Sequence, residues 1–173
     1  MDDDRRRAII DEIPRMRRYA RSLLRDRDAA DDLVQDSLER ALSRMERWTT
    51  GDSPRRWLFT IMHHLFVDQL RRSKRHGQIV AMMPEAIGGQ ATPPPQDDKV
   101  ESREVLEALQ RLSPERRAAL TLVAVEGFSY AEAANVLGVP AGTLMSRIAR
   151  GREDLKTILD DASRRKVIKV VEK

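Results

Sequence analysis

The segment 83–98, MPEAIGGQATPPPQDD, most limits the folds open to this 173-residue chain, because it breaks the helical periodicity on both of its sides. Its glycine pair permits free backbone turning, and its three consecutive prolines favour an extended spacer without regular hydrogen bonds. A chain interrupted in this way is expected to form two cores rather than one. We therefore predict domains at residues 1–77 and 101–159, a flexible linker at 78–100 and a tail at 160–173. For the tail we favour a frayed terminus in solvent over the alternative, a strand or helix added to a partner.

Apolar residues recur with helical spacing in the first domain. A helix is predicted at about residues 29–48, with Asp28 or Asp31 as its N-cap. Its apolar stripe consists of Leu33, Val34, Leu38, Ala41, Leu42 and Met45. Pro54 suits the first turn of a next helix, which continues to about residue 75. Together with an earlier helix at about 14–25, these elements predict a three- or four-helix bundle.

The second domain carries several helix start and stop signals. Ser113 and Pro114 suit the N-cap and first position of a helix that continues to about residue 126, where Gly127 ends it. A capping box formed by Ser129 and Glu132 opens a short helix. A long helix then covers about residues 140–159. Because aromatic residues make up only 4% of the chain and strands favour them, the fold is predicted to be all-α, with four helices in this domain.

The strongest local pattern is a helix-turn-helix, because a short capped helix, a turn at Gly138 and Val139, and a second helix follow one another. Gly138 can adopt the positive φ of such a turn, and Val139 can fill the angle between the helices. Small residues at the start of the second helix allow close approach to a DNA major groove, and arginines can bind guanine edges or phosphates. The candidate contacts are Ala141, Gly142, Thr143, Ser146, Arg147 and Arg150. An ordinary helical hairpin is the alternative.

Charge is distributed unevenly along the chain. The formal net charge is +4, and residues 1–77 carry 18 basic against 14 acidic side chains. The basic residues concentrate in one cluster, which comprises Arg71, Arg72, Lys74, Arg75 and His76. Such a cluster favours a polyanion such as nucleic acid, or it complements the dipole at a helix end. Charge alone leaves both interpretations open.

Several function classes lack support. The chain has no cysteine, which excludes a disulfide framework, an Fe–S cluster and a thiolate zinc site. The histidines His63, His64 and His76 show no metal-ligand spacing, and no catalytic triad or phosphate loop appears, so we expect no metal, no cofactor and no catalysis. The start MDDDRRR is unlike a signal peptide, and no apolar run approaches the roughly 20 residues of a membrane span. We expect a soluble, cytoplasmic protein without membrane insertion.

A family resemblance follows from these motifs. The stretch 129–152, SYAEAANVLGVPAGTLMSRIARGR, resembles the C-terminal DNA-binding region of bacterial extracytoplasmic-function (ECF) sigma factors, and 112–120, LSPERRAAL, resembles the stretch before it. In the first domain, ADDLVQDSLERA, RWLFTI and DQLRR resemble the core-binding and promoter-melting regions. The segment 13–23, IPRMRRYARSL, is similar to alphaproteobacterial members, including those of the general stress response. The matches lie in the family's order and cover about residues 10–159.

The resemblance implies a protein that binds core RNA polymerase and promoter DNA, is held by an anti-sigma factor, and acts on no small-molecule substrate. It implies core-binding residues on a helix that docks on the polymerase clamp helices: Asp32, Leu33, Gln35, Asp36 and Glu39. Acidic residues that merely stabilise a helix start are the alternative.

The resemblance also implies residues that recognise the minus-ten element as single-stranded DNA: Gly51, Asp52, Ser53, Trp57, His64, Arg71, Arg72, Lys74 and Arg75. For Trp57 we favour a role as a core anchor over that of a stacking platform. His64 stands where many relatives have asparagine, which changes the hydrogen-bonding groups offered to DNA.

The resemblance implies that the second helix of the helix-turn-helix binds the minus-thirty-five element as duplex DNA. It also implies that Arg152 contacts a phosphate. Met145 replaces a lysine or arginine of many relatives, so one phosphate contact is missing there. Two rival functions remain: a dimeric helix-turn-helix regulator that works without polymerase, and a sigma mimic that sequesters an anti-sigma factor.

Overall fold

The computed structural model describes residues 2–48, 53–80 and 100–171. The first three helices are α1 (Asp2–Leu23), α2 (Arg27–Leu42) and α3 (Pro54–Val80), with a short 3-10 turn at Met45–Arg47. The next two are α4 (Val100–Gln110) and α5 (Pro114–Leu120), followed by a π-helical turn at Thr121–Val125. The last two are α6 (Tyr130–Leu137) and α7 (Ala141–Val171). No strand occurs within these ranges, and the predicted all-α class is confirmed.

The chain divides into two compact units. The first unit comprises Met1–Ala20 and Asp26–Pro93, and the second comprises Arg21–Arg25 and Pro94–Lys173. The predicted linker lies almost wholly outside the described residues, since α3 ends at Val80 and α4 begins at Val100. In the part of the chain that is described, no helix is both long and apolar enough to cross a membrane.

The core of the first unit lies between α1, α2 and α3. Its large side chains are fully buried, and the rings of Tyr19 and Phe59 lie 5.2 Å apart. The predicted helix at 14–25 was wrong in extent, because α1 already begins at Asp2. Its first turns are mostly charged and show no apolar period, yet Ile9 is buried and the Arg5 guanidinium lies 5.8 Å from the Trp48 ring centroid. These contacts come from tertiary packing, which a local pattern does not show.

Helix α2 differs from its predicted bounds at both ends. Its N-cap is Asp26, whose Oδ1 accepts a hydrogen bond from the Ala29 amide at 2.8 Å, whereas Asp28 and Asp31 lie within the helix. It ends at Leu42, which is 50% exposed and therefore not part of the buried stripe. The chain leaves the helix direction there, and Trp48, six residues further on, stacks on the ring of Trp57.

The second unit confirms the predicted start signals. Ser113 caps α5, with its Oγ accepting from the Arg116 amide at 3.4 Å, and Ser129 and Glu132 form the predicted capping box. Gly138 has φ +63°, as the turn requires. The helix predicted to residue 126 instead changes at Thr121 into a π-helical turn, in which the Glu126 amide donates to the Thr121 carbonyl at 2.9 Å.

Helix α7 is longer than predicted, since it continues past residue 159 to Val171. The expectation of a frayed tail was wrong for residues 160–171. No glycine or proline follows Gly151, so the chain contains no stop signal for this helix. Where α5 packs on α7, a Cβ on Gly151 would lie 2.8 Å from Leu120 Cδ1, which shows how closely the two helices approach.

Candidate functional site

The exposed side of α2 carries an acidic face, which we define as Asp32, Gln35, Asp36 and Glu39. Spacings of three, four and seven residues place these side chains on one side of the helix. Within it, Gln35 Nε2 donates to Glu39 Oε1 at 3.1 Å. The face offers carboxylate and amide groups to a basic partner.

The fifth residue implied for core binding occupies a different position. Leu33 is 0% exposed and lies in the core, so its side chain supports the acidic face rather than touching a partner. Asp28 was not among the implied contacts, yet it is exposed and precedes Asp32 by four residues.

Two tryptophans stack next to the predicted minus-ten loop. The Trp48 and Trp57 ring centroids lie 5.8 Å apart with an interplanar angle of 10°. Trp48 is 8% exposed, whereas Trp57 is only half-buried. Trp57 thus anchors the start of α3 against Trp48 while retaining an exposed part. The contact of Arg5 with Trp48 was not identified from sequence, because Arg5 lies far from this loop along the chain.

The loop itself is described only in part. Gly51 and Asp52 lie outside the described residues. Ser53 is exposed, and its Oγ accepts from the Arg56 amide at 3.4 Å, so it also caps the start of α3.

The predicted minus-ten residues that follow Trp57 on α3 are all exposed, but they do not all lie on one side of the helix. His64, Arg71 and Arg75 follow Trp57 at spacings close to whole turns, so they lie along one side of the helix. Arg72 is also exposed, and Lys74 is exposed on a different side. The Arg71 guanidinium lies 3.9 Å from an Asp68 carboxylate oxygen. An exposed pair of this kind contributes little, so the arginine remains available to an anion.

The rotation of α7 is set by its buried residues. Leu144 and Ile148 are 0% and 2% exposed, and Gly151 is also buried. The opposite side is exposed and carries Ala141, Gly142, Met145, Ser146, Ala149, Arg150 and Arg152. Of these seven residues and the half-buried Thr143 and Arg147, seven were candidates from the sequence. Met145 and Ala149 were not, although their outward position follows from helical spacing alone.

Two further candidates lie at the flank of this surface. Thr143 and Arg147 are half-buried. Thr143 also accepts, through its backbone carbonyl, a hydrogen bond from Ser146 Oγ at 2.9 Å. The most outward polar groups are therefore those of Ser146 and Arg150.

One cation of the second unit lies in the interior instead of on this surface. Arg117 of α5 is 8% exposed, and its guanidinium donates to Gln110 Oε1. Burial lowers the pKa of the Arg117 guanidinium, and the charge of Arg25 acts in the same direction. Among the described residues, no group of three or more histidine, aspartate or glutamate side chains could hold a metal ion.

Two family models match the chain. The model described as the Sigma2 domain of PhyR matches residues 9–63, which include the acidic face and the start of α3. The model for Sigma-70, region 4, matches residues 102–155, which include the helix-turn-helix.

Whole-chain comparisons agree with these matches. The chain is 36% identical over 163 residues to the ECF RNA polymerase sigma factor EcfG of Rhodopseudomonas palustris (strain TIE-1), covering 92% of this chain and 87% of that protein. It is 37% identical over 134 residues to the ECF RNA polymerase sigma factor SigC of Mycobacterium tuberculosis (strain CDC 1551 / Oshkosh), covering 76% and 71%.

A solved structure is similar over nearly the same length. The sigma factor RpoE of Bartonella quintana, solved in complex with the anti-sigma factor NepR, has a TM-score of 0.79 and 33% identity, with 91% of this chain and 97% of that chain covered. The order of the two matched regions, their placement on two helical units and the identity to named relatives lead to one conclusion. The chain belongs to the ECF family of RNA polymerase sigma factors, which bind core RNA polymerase and direct it to promoters.

Proposed function

We propose that the two units hold one promoter at two places while the first unit is bound to core RNA polymerase. The orientation of α7 supports this most directly, because burial of Leu144 and Ile148 leaves Ser146 and Arg150 facing outward from a helix-turn-helix. Small and basic side chains on that side suit a major groove.

The acidic face of α2 is proposed to dock on the clamp helices of the largest catalytic-core subunit. Its exposed carboxylates can pair with basic residues of a coiled coil, while the apolar side of α2 remains in the core of the first unit. Complementary charge of this kind steers association and sets its register.

The start of α3 is proposed to bind the minus-ten element. The exposed part of Trp57, next to the loop that precedes α3, offers an aromatic surface to an unstacked base. His64 lies two turns further along the same side, where its imidazole can donate or accept a hydrogen bond. The exposed basic residues from Arg71 to Arg75 then contact phosphates, which position the DNA without specifying its sequence.

The outward side of α7 is proposed to bind the minus-thirty-five element. Arg150 and Ser146 reach base edges, and the half-buried Arg147 and Thr143 contact the adjoining edge of the groove. Arg152, on the other flank, contacts phosphate.

The protein is proposed to act in the cytoplasm, where polymerase and DNA are found, and without covalent chemistry of its own. An anti-sigma factor is proposed to hold it inactive, because the similar RpoE of Bartonella quintana was solved with NepR. The same similarity, with that to EcfG, supports a general stress type.

Run-off transcription with purified core polymerase tests this function. A template library with randomised minus-thirty-five and minus-ten elements should yield transcripts from a defined subset, and Arg150→Ala should change which minus-thirty-five bases are selected. Arg152→Ala, the matched control on the same helix, should weaken binding without changing that selection. Absence of transcripts from every template would contradict the proposal.

The two rivals give different results in the same assay. A plain regulator would bind DNA as a dimer and fail to bind core polymerase. A sigma mimic would bind the anti-sigma factor and support no transcription.

A further inference from the structure

Met145 is a large apolar side chain exposed on the outward surface of the recognition helix. It is 54% exposed, although its neighbour Leu144 is fully buried. A methionine at this level of exposure contributes little to the core, because most of its apolar area stays in water. Its place in the fold is therefore better explained by contact with a ligand of the helix than by packing.

The residues around Met145 extend its apolar character. Ala141 and Ala149 lie one turn to either side of it and are both exposed. We define Ala141, Met145 and Ala149 as the apolar stripe. Arg150 lies about 140° around the helix from Met145, on the far side of Ser146. At the start of α7 the outward surface thus has a polar side, with Ser146 and Arg150, and an apolar side, which ends at Arg152 two turns beyond Met145.

The apolar stripe contains no side-chain donor or acceptor suited to a base edge. The Ser146 hydroxyl, next to it, already donates to the Thr143 carbonyl at 2.9 Å. In the major groove, the one apolar group that a base pair presents is the 5-methyl group of thymine. A methionine has three rotatable bonds and adapts its shape to such a group.

We propose that Met145, flanked by Ala141 and Ala149, contacts the 5-methyl group of a thymine in the minus-thirty-five element and selects for it. This inference rests on the proposed function, in which α7 enters the major groove of that element. Met145 then acts as a specificity-determining residue rather than as a phosphate contact that has been lost.

The test replaces thymine by uracil, which removes only the 5-methyl group of the base. A promoter selected from the transcription library is synthesised with deoxyuridine in place of each minus-thirty-five thymidine in turn, on either strand. Binding by the full-length protein in complex with core polymerase is then measured. At one position we expect deoxyuridine to weaken binding about two- to fourfold, because one methyl group is no longer buried.

Substitutions of Met145 identify the residue responsible. Met145→Ala should abolish the difference between thymidine and deoxyuridine at that position, and Met145→Leu should retain part of it. Met145→Lys should abolish the difference and steepen the salt dependence of binding by about one unit of log–log slope, because it adds a phosphate contact. Since Met145 is exposed, all three variants should keep the thermal midpoint of the wild type.

The outcomes separate this inference from the function on which it depends. If changes of base identity in the minus-thirty-five element alter binding but no deoxyuridine does, the methyl contact is refuted and the proposed function stands. An equal deoxyuridine effect in the wild type and in Met145→Ala would likewise refute it. If no change in that element alters binding, the proposed function fails.

Discussion

Because Gly151 has no side chain, α5 and α7 of the second unit can approach each other closely at this residue. A Cβ there would lie 2.8 Å from Leu120 Cδ1 and 3.4 Å from Arg116 Cβ. Leu120 is itself buried, so it has little room to move away. The ion pair between Arg116 and Asp154 also joins α5 to α7 near this point. This contact accounts for a glycine inside a long helix, where its low helix propensity would otherwise be a cost.

We expect Gly151→Ala to lower the free energy of unfolding of the second unit by about 2 kcal/mol relative to Gly142→Ala, because the added methyl overpacks the contact with Leu120. Gly142 is the control, since a Cβ there meets no atom within 4 Å and both changes add the same group to α7. Chemical unfolding followed by far-ultraviolet circular dichroism measures the difference.

Tryptophan fluorescence separates the two units in this experiment. Both tryptophans of the chain, Trp48 and Trp57, lie in the first unit. The fluorescence transition should therefore stay unchanged in Gly151→Ala. Equal stability of the two glycine variants would contradict this prediction, because it would show that α5 and α7 can move apart at no cost in free energy.

At the scale of the element, helices of this protein begin where a side chain accepts a hydrogen bond from one of the first backbone amides. Two such caps were predictable from the sequence, at Ser113 and Ser129, as was the glycine turn at Gly138, which ends α6. The cap of α2 was not, because the chain offers Asp26, Asp28 and Asp31 within six positions. Only the backbone geometry, extended at Asp26 and helical after it, decides among them.

Substitution of the two aspartates should therefore have different effects. Asp26→Ala should destabilise the first unit by about 1 kcal/mol, because the Ala29 amide loses its acceptor. Asp28→Ala should cost only a few tenths of a kcal/mol, because Asp28 contributes through the helix dipole alone. Urea unfolding followed by tryptophan fluorescence measures both. A larger effect of Asp28→Ala would contradict the assignment of Asp26 as the cap.

At the scale of the whole molecule, the binding surfaces proposed for core polymerase and for DNA on the first unit have opposite charges. The acidic face lies on α2, and the basic residues lie toward the end of α3. A protein with a modest net charge of +4 can therefore present both a cationic and an anionic surface.

Charge reversal tests the acidic face. Asp36→Lys should weaken binding of core polymerase by about 2 kcal/mol, roughly thirtyfold, because the lysine would then face the basic residues proposed on the clamp helices. Asp11→Lys, which reverses an exposed carboxylate on α1, should change it much less. Fluorescence anisotropy of the labelled full-length protein titrated with core polymerase gives both affinities. Equal weakening by the two variants would indicate a general charge effect and not a docking face.

Salt dependence tests the basic residues of α3. Arg72→Ala should make the slope of log affinity against log salt concentration for promoter DNA less steep by about one, because one phosphate contact is removed. The preferred minus-ten sequence should stay the same. Arg40→Ala, which removes an exposed charge from α2, is the control and should leave the slope unchanged.

Local sequence determined the helical class, the helix-turn-helix with its capping box and positive-φ glycine, and the outward position of Ser146 and Arg150. These depend on spacing and on contacts within a few residues, so the amino-acid order alone contains them. The tertiary structure decided the early start of α1, the end of α2 and the stacking of Trp48 on Trp57. Each of these is set by contacts between residues distant along the chain, whose packing energy outweighs local propensity.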